Sequence, residues 1–119
     1  MLSKAPYLTH FKGDVALKEK TSQLSLDKIS SVLNASKELS ELMSLDKTTK
    51  MLYVNGSIDN STELVEKFFD KVAKVVQDES RVEVKGDDVA DRYDLVFKEQ
   101  VLYIQSYRLT KGKMTRYSA

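Results

Sequence analysis

The chain has no cysteine and no tryptophan, one proline, four glycines and one histidine among 119 residues. Without thiols it cannot build a disulfide framework, a thiolate zinc site, an iron–sulfur cluster or a cysteine nucleophile. The single histidine, His10, excludes multi-histidine metal sites and leaves a Ser-His-Asp triad open only with His10 as its base. So little proline and glycine argues against a collagen-like or disordered chain. No run approaches the roughly eighteen apolar residues of a membrane helix. The start, Met1-Leu2-Ser3-Lys4-Ala5-Pro6-Tyr7-Leu8, lacks the apolar stretch behind a positive charge that a secretory signal requires. The expectation is a cytoplasmic protein with no membrane partner, no cofactor and no bound metal.

What is present suits a folded domain: 41% hydrophobic and 31% charged residues. Size scaling lets a chain this long bury about two thirds of its extended surface, enough for one core, so residues 1–119 are read as a single domain.

Tyr7 to Leu17 holds Phe11, Val15 and Leu17 at strand-like spacing, interrupted at Gly13-Asp14, and Leu24 and Leu26 could form the partner strand of a hairpin. From Asp27 the spacing becomes helical. Ile29, Val32, Leu33, Ser36, Leu39, Leu42 and Met43 share a stripe, with Ser25 or Asp27 as the cap and Asn34-Ala35-Ser36 as a break into two helices. Met51 to Val54 reads as a strand ending at an Asn55-Gly56 turn. A helix over about residues 61–77 follows, with Asn60 and Glu63 as a capping box, Ser61 as a competing cap, and Leu64, Val65, Phe68, Phe69, Val72, Val75 and Val76 on its apolar face. Glu63 to Lys67 and Asp70 to Lys74 are spaced for helical ion pairs.

The period then falls to two. Arg81 to Lys85 alternates, Gly86-Asp87-Asp88 turns, and Tyr93, Leu95 and Phe97 share a face. Val101 to Leu109 is apolar or aromatic on both faces at its start, as in a central strand, and Lys111-Gly112-Lys113 turns into a last strand from Met114 to Tyr117. Helices first and an antiparallel meander after give an α+β fold with a curved sheet or partial barrel.

Few constellations suggest chemistry. Asp87, Asp88, Asp91 and Asp94 could offer oxygens to a hard cation, but the glycine precedes the acids and Arg92 sits among them, unlike an EF-hand loop. His10 has a pKa range suited to a general base yet no nucleophile elbow accompanies it. Asn55-Gly56-Ser57 lacks the glycines and lysine of a phosphate-binding loop. An enzyme would have to draw on Asp88, Asp91 or His10.

Charge distribution says more. Residues 78–99 hold eight acids against four bases, while residues 100–119 hold Arg108, Lys111, Lys113 and Arg116 with no acid. The net charge of +1 therefore sums opposed segments. Tyr103, Tyr107 and Tyr117 lie in the basic segment, and cations interleaved with aromatics on a sheet suit single-stranded nucleic acid. The same basic segment could instead pair with its acidic neighbour, and tyrosine is common in strands for packing reasons.

With its length, cysteine-free composition, N-terminal helical part and final strands V-L-Y-I-Q-S-Y-R-L-T-K-G-K-M-T-R-Y, the chain resembles the PrgU-type small regulators of Gram-positive conjugative plasmids. The resemblance is of the whole chain and assigns no binding residue. It implies a fold like the PUA superfamily of RNA-binding domains and post-transcriptional control of a surface adhesin. The expectation is a non-enzymatic RNA-binding regulator. Arg108, Lys111, Lys113 and Arg116 would contact phosphates, and Tyr107 or Tyr117 would stack on bases. The alternative is a protein-interaction module, a homodimer formed through an exposed strand or the broad face of the 61–77 helix.

Overall fold

The computed structural model describes residues 8–59, 62–86, 92–106 and 114–117. Their order is β1 (Thr9–Ala16), α1 (Gln23–Ala35), α2 (Lys37–Leu42), β2 (Met43–Asp46), β3 (Met51–Ile58), α3 (Glu63–Val72) with a 3-10 turn (Ala73–Val75), β4 (Arg81–Gly86), β5 (Arg92–Lys98), β6 (Val101–Ser106) and β7 (Met114–Arg116). The seven strands form one antiparallel sheet in the order β2-β3-β1-β4-β5-β6-β7. The fold is α+β, and the sheet is curved without closing into a barrel.

Alternation along each strand sends one set of side chains into the core. Phe11 and Val15 of β1, Leu52 and Val54 of β3, Val82 and Val84 of β4, and Leu95 and Phe97 of β5 share the buried face. The three helices cover that face with Leu26, Ile29 and Leu33, then Leu39 and Leu42, then Val65, Phe68, Phe69 and Val72. Phe69 is the hub: its ring stands edge-on to Phe68 and to Phe97, each centroid 5.8 Å away. Such pairs contribute about 0.5–1.5 kcal/mol beyond burial. The Tyr93 hydroxyl adds a polar tie by donating to Glu66 at 3.0 Å.

The pairing of β1 with β4 is interrupted. Their pairing runs from Thr9–Gly86 to Lys12–Glu83 and then stops, and β1 resumes contact through a Leu17–Val76 bridge and a Gln77 N–H to Ala16 carbonyl bond of 2.8 Å. Gly13 lies in the gap, where a Cβ would sit 2.4 Å from the Arg81 carbonyl oxygen. Only a residue without a side chain lets the two backbones cross that closely.

Several sequence expectations change. Gly13-Asp14 is no turn: β1 passes straight through it, paired to β3 along its whole length. Leu24 and Leu26 belong to α1, which Ser22 caps by accepting from the Ser25 N–H at 3.1 Å. The break at Ser36 is as read, with Ser36 accepting from the Leu39 N–H to cap α2. Met43 opens a strand, β2, that helical periodicity concealed. Asn55-Gly56 continues β3, because it pairs with Lys12 and Phe11 of β1; Gly56 lies against Leu42, whose Cδ1 would be 3.0 Å from a Cβ there. Helix α3 begins at Glu63 after Thr62, which makes no side-chain cap bond; Asn60 and Ser61 lie outside the described residues. The Glu63–Lys67 pair forms at 2.8 Å. Asp70 and Lys74 form no ion pair among the described residues, since Lys74 falls in the 3-10 turn where helical i,i+4 geometry ends. The N-terminal half supplies three strands to the sheet as well as helices, and β4 to β7 form the expected meander. The strand buried on both faces is β5, where Leu95, Val96 and Phe97 are all buried, while β6 is next to the edge.

Candidate nucleic-acid interface

The sheet face opposite the helices carries His10, Lys12 and Asp14 of β1, Tyr53, Asn55 and Ser57 of β3, and Arg81, Glu83 and Lys85 of β4. Across β5 to β7 the register sets Arg92, Asp94 and Val96 beside Gln105, Tyr103 and Arg116. Antiparallel pairing thus generates a transverse row from Arg81 through Val96 and Tyr103 to Arg116. Val96 is buried yet stands apart from the main core, so it forms an apolar floor between the Arg81 and Tyr103 positions.

Charge on this face is partly paired. Arg81 donates to Asp94 at 3.1 Å and to the Gln105 side-chain oxygen at 2.9 Å. Glu83 takes Lys85 at 3.1 Å and Arg92 at 2.9 Å, and these cations, Lys85 first, hold its carboxyl below the usual range. Lys12 and Arg116 have no carboxylate partner among the described residues. The described strands set six cations on this face, Lys12, Arg81, Lys85, Arg92, Lys98 and Arg116, against four acids, Asp14, Asp46, Glu83 and Asp94.

The structure separates residues that the sequence groups. Arg116 is exposed on the open face in register with Tyr103. Tyr117, one residue on, packs against the core on the helix side, its N–H bonded to the Leu102 carbonyl at 2.8 Å. Desolvation, followed by Glu66, Asp70 and Glu63, raises the Tyr117 pKa above its ordinary value. Carboxylates around that ring would repel a phosphate chain, so Arg116 and Tyr117 do not form one platform. Tyr107, Arg108, Lys111 and Lys113 lie outside the described residues, as do Asp87, Asp88 and Asp91. Asp94, the remaining acid of that cluster, is engaged by Arg81. Among the described residues no group of acids or histidine is placed to hold a metal ion.

Sequence reading missed Lys12 and Tyr53 as members of this face, because they come from the N-terminal half, which carried no aromatic and basic pattern. Tyr53 is 42% exposed. It lies four strands from Tyr103, roughly 19 Å at ordinary strand spacing.

His10 and Ser57 meet on the same face through a Nδ1 to Oγ hydrogen bond. They are direct register partners in β1 and β3, so cross-strand pairing alone brings them together. Beside them opens a cleft of about 700 Å³ with Glu38, Glu41, Asp59 and Glu63 in its lining and Lys67 as its cation. Its carboxylates disfavour a polyanion.

No family model, curated protein or solved structure matches the chain.

Proposed function

We propose that this chain binds single-stranded RNA across the helix-free face of its sheet and acts through that binding as a non-enzymatic regulator. The observation that carries the reading is the row containing Tyr103 and Arg116: a partly exposed ring directly beside a guanidinium with no carboxylate partner among the described residues. Stacking rings and phosphate-seeking cations on one sheet are the two requirements of sequence-tolerant single-strand binding. In this reading Tyr103 stacks on a base and Arg116 and Lys12 engage phosphates. Arg108, Lys111 and Lys113, with Tyr107, extend the basic stretch in the segment joining β6 to β7. The regulatory part of the reading rests on the resemblance to PrgU-type proteins.

Fluorescence anisotropy with short labelled RNAs at several salt concentrations tests the reading. Affinity should fall steeply with salt. Tyr103→Ala should weaken binding by about 1–3 kcal/mol. Arg116→Ala should lower the salt slope by about one. Tyr117→Ala should leave RNA affinity per folded molecule intact. No measurable binding at low salt, or full affinity in Tyr103→Ala, overturns the reading.

A further inference from the structure

On the helical side, between α1 and the end of α3, runs a groove of about 350 Å³. Its floor is apolar: Ile29, Phe68 and Val72 line it and are at most 7% exposed. Val32 forms part of the wall and is 47% exposed, an apolar side chain left to water at the lip. Lys28 from one helix, with Lys71 and Lys74 from the other side, lines the rim, and no carboxylate takes part in the lining. None of these lysines has an ion-pair partner among the described residues.

From this arrangement we infer that the groove docks an acidic amphipathic helix of a partner protein. An apolar channel between two helices accepts side chains spaced at i, i+3, i+4 and i+7 along one face of an incoming helix. Glutamates and aspartates flanking that stripe would meet the lysine rim, and charge complementarity selects an acidic partner over a basic one. The floor is concave, so a flat lipid surface reaches Val32 at the lip but not Ile29 or Val72. The one ring in the lining, Phe68, is 4% exposed, which leaves no stacking platform for bases. The groove lies on the side of the sheet away from the proposed RNA face, so this inference does not depend on that reading.

The test titrates the full chain against two fluorescein-labelled helical peptides of about 18 residues. Both carry leucines at i, i+3, i+4 and i+7, one with glutamate and the other with lysine at most remaining positions. The glutamate peptide should bind, more weakly as salt rises, and the lysine peptide should not. Val32→Asp, and separately Lys28→Glu with Lys74→Glu, should each weaken binding roughly tenfold or more, about 1.4 kcal/mol. These positions are at the lip and rim, and thermal melting confirms that the variants fold. Absence of binding by the glutamate peptide, equal binding of both peptides, indifference to either variant, or displacement by RNA or phosphatidylglycerol vesicles overturns the inference.

Discussion

At the scale of single residues, two glycines illustrate what a missing Cβ does. A methyl at Gly13 meets backbone, 2.4 Å from the Arg81 carbonyl oxygen and 3.0 Å from the Val82 Cα, so β4 would have to move. Gly13→Ala should cost about 1–3 kcal/mol in urea unfolding. A methyl at Gly56 meets first the end of the Leu42 side chain, which can turn away, so Gly56→Ala should cost less. Thr21 presents the opposite problem, a buried hydroxyl with no hydrogen-bond partner among the described residues. Thr21→Val removes an unsatisfied polar atom at nearly constant shape and should raise stability by about 1 kcal/mol, read from the same denaturation curves. Titration adds a pH signature. Lys47 and Gln23 beside Asp27, the Thr49 and Thr48 N–H groups on Asp46, and Lys67 beside Glu63 lower those carboxyl pKa values. Groups with depressed folded pKa values stabilise above their unfolded pKa and lose that contribution as pH falls through the folded value. The urea midpoint should therefore decline below about pH 4. Tyr117 has the opposite sign: its raised pKa supports the fold below about 10, and that support is lost as pH rises through the folded value. Lys67 contributes in the same alkaline direction, so Tyr117→Phe should reduce the decline above pH 10 without abolishing it.

At the scale of elements, connections reveal as much as helices and strands. Lys98 pairs with Val101, leaving Glu99 and Gln100 as a two-residue loop, and both have positive φ, 53° and 66°. That is the backbone of a type I′ hairpin turn, where Asn-Gly is favoured and longer side chains are strained. The Glu99 N–H is held by the Asp78 carboxylate at 2.8 Å, a bond any non-proline residue at position 99 keeps. Replacing Glu99 by Asn and Gln100 by Gly should raise the unfolding free energy by about 1 kcal/mol, measured as a higher urea midpoint with an unchanged slope. The break between α1 and α2 has a local cause visible in the sequence, a serine that caps the second helix. The strand β2 has none. Its four residues follow a helix without a turn signal, and pairing to β3 from Met43–Val54 to Asp46–Met51 decides its state.

At the scale of the whole molecule, one sheet divides the protein into a helical side and an open side, and the main core lies on the first, with Val96 buried on the second. Phe69 joins α3 to β5 through Phe97, so Phe69→Ala should cost about 3–5 kcal/mol and unfold both layers together, seen as coincident loss of helical and tyrosine signals. The same layering spends most of the broad apolar face of α3 internally. Val65, Phe68, Phe69, Val72 and Val76 are buried within the chain, Val75 is partly buried against the core and Leu64 is 44% exposed, so little of that face is left for contact with a second copy. The body of helix α3, the β4 to β7 meander and the break at Ser36 were legible in the sequence, because periodicity, capping and alternation are local and need no partner; the end of α3 was not, since the expected helix to residue 77 stops at Val72 and Val76 is extended, bridged to Leu17. The strand nature of β2, the passage of β1 through Gly13 and the length of β3 were not, since each depends on a neighbour far away in the chain. For the site, local composition pointed to Arg116 and to the tyrosines of the last strands. Composition cannot say which face a side chain takes. Register does, and it set Arg116 beside Tyr103, turned Tyr117 to the helices and brought Lys12 and Tyr53 from the N-terminal half onto the open face. By itself the sequence determined the helices, the C-terminal strands and the sum of charge; the state of β2, the course of β1 and where the charge points were decided by strand pairing across distances that no local pattern records.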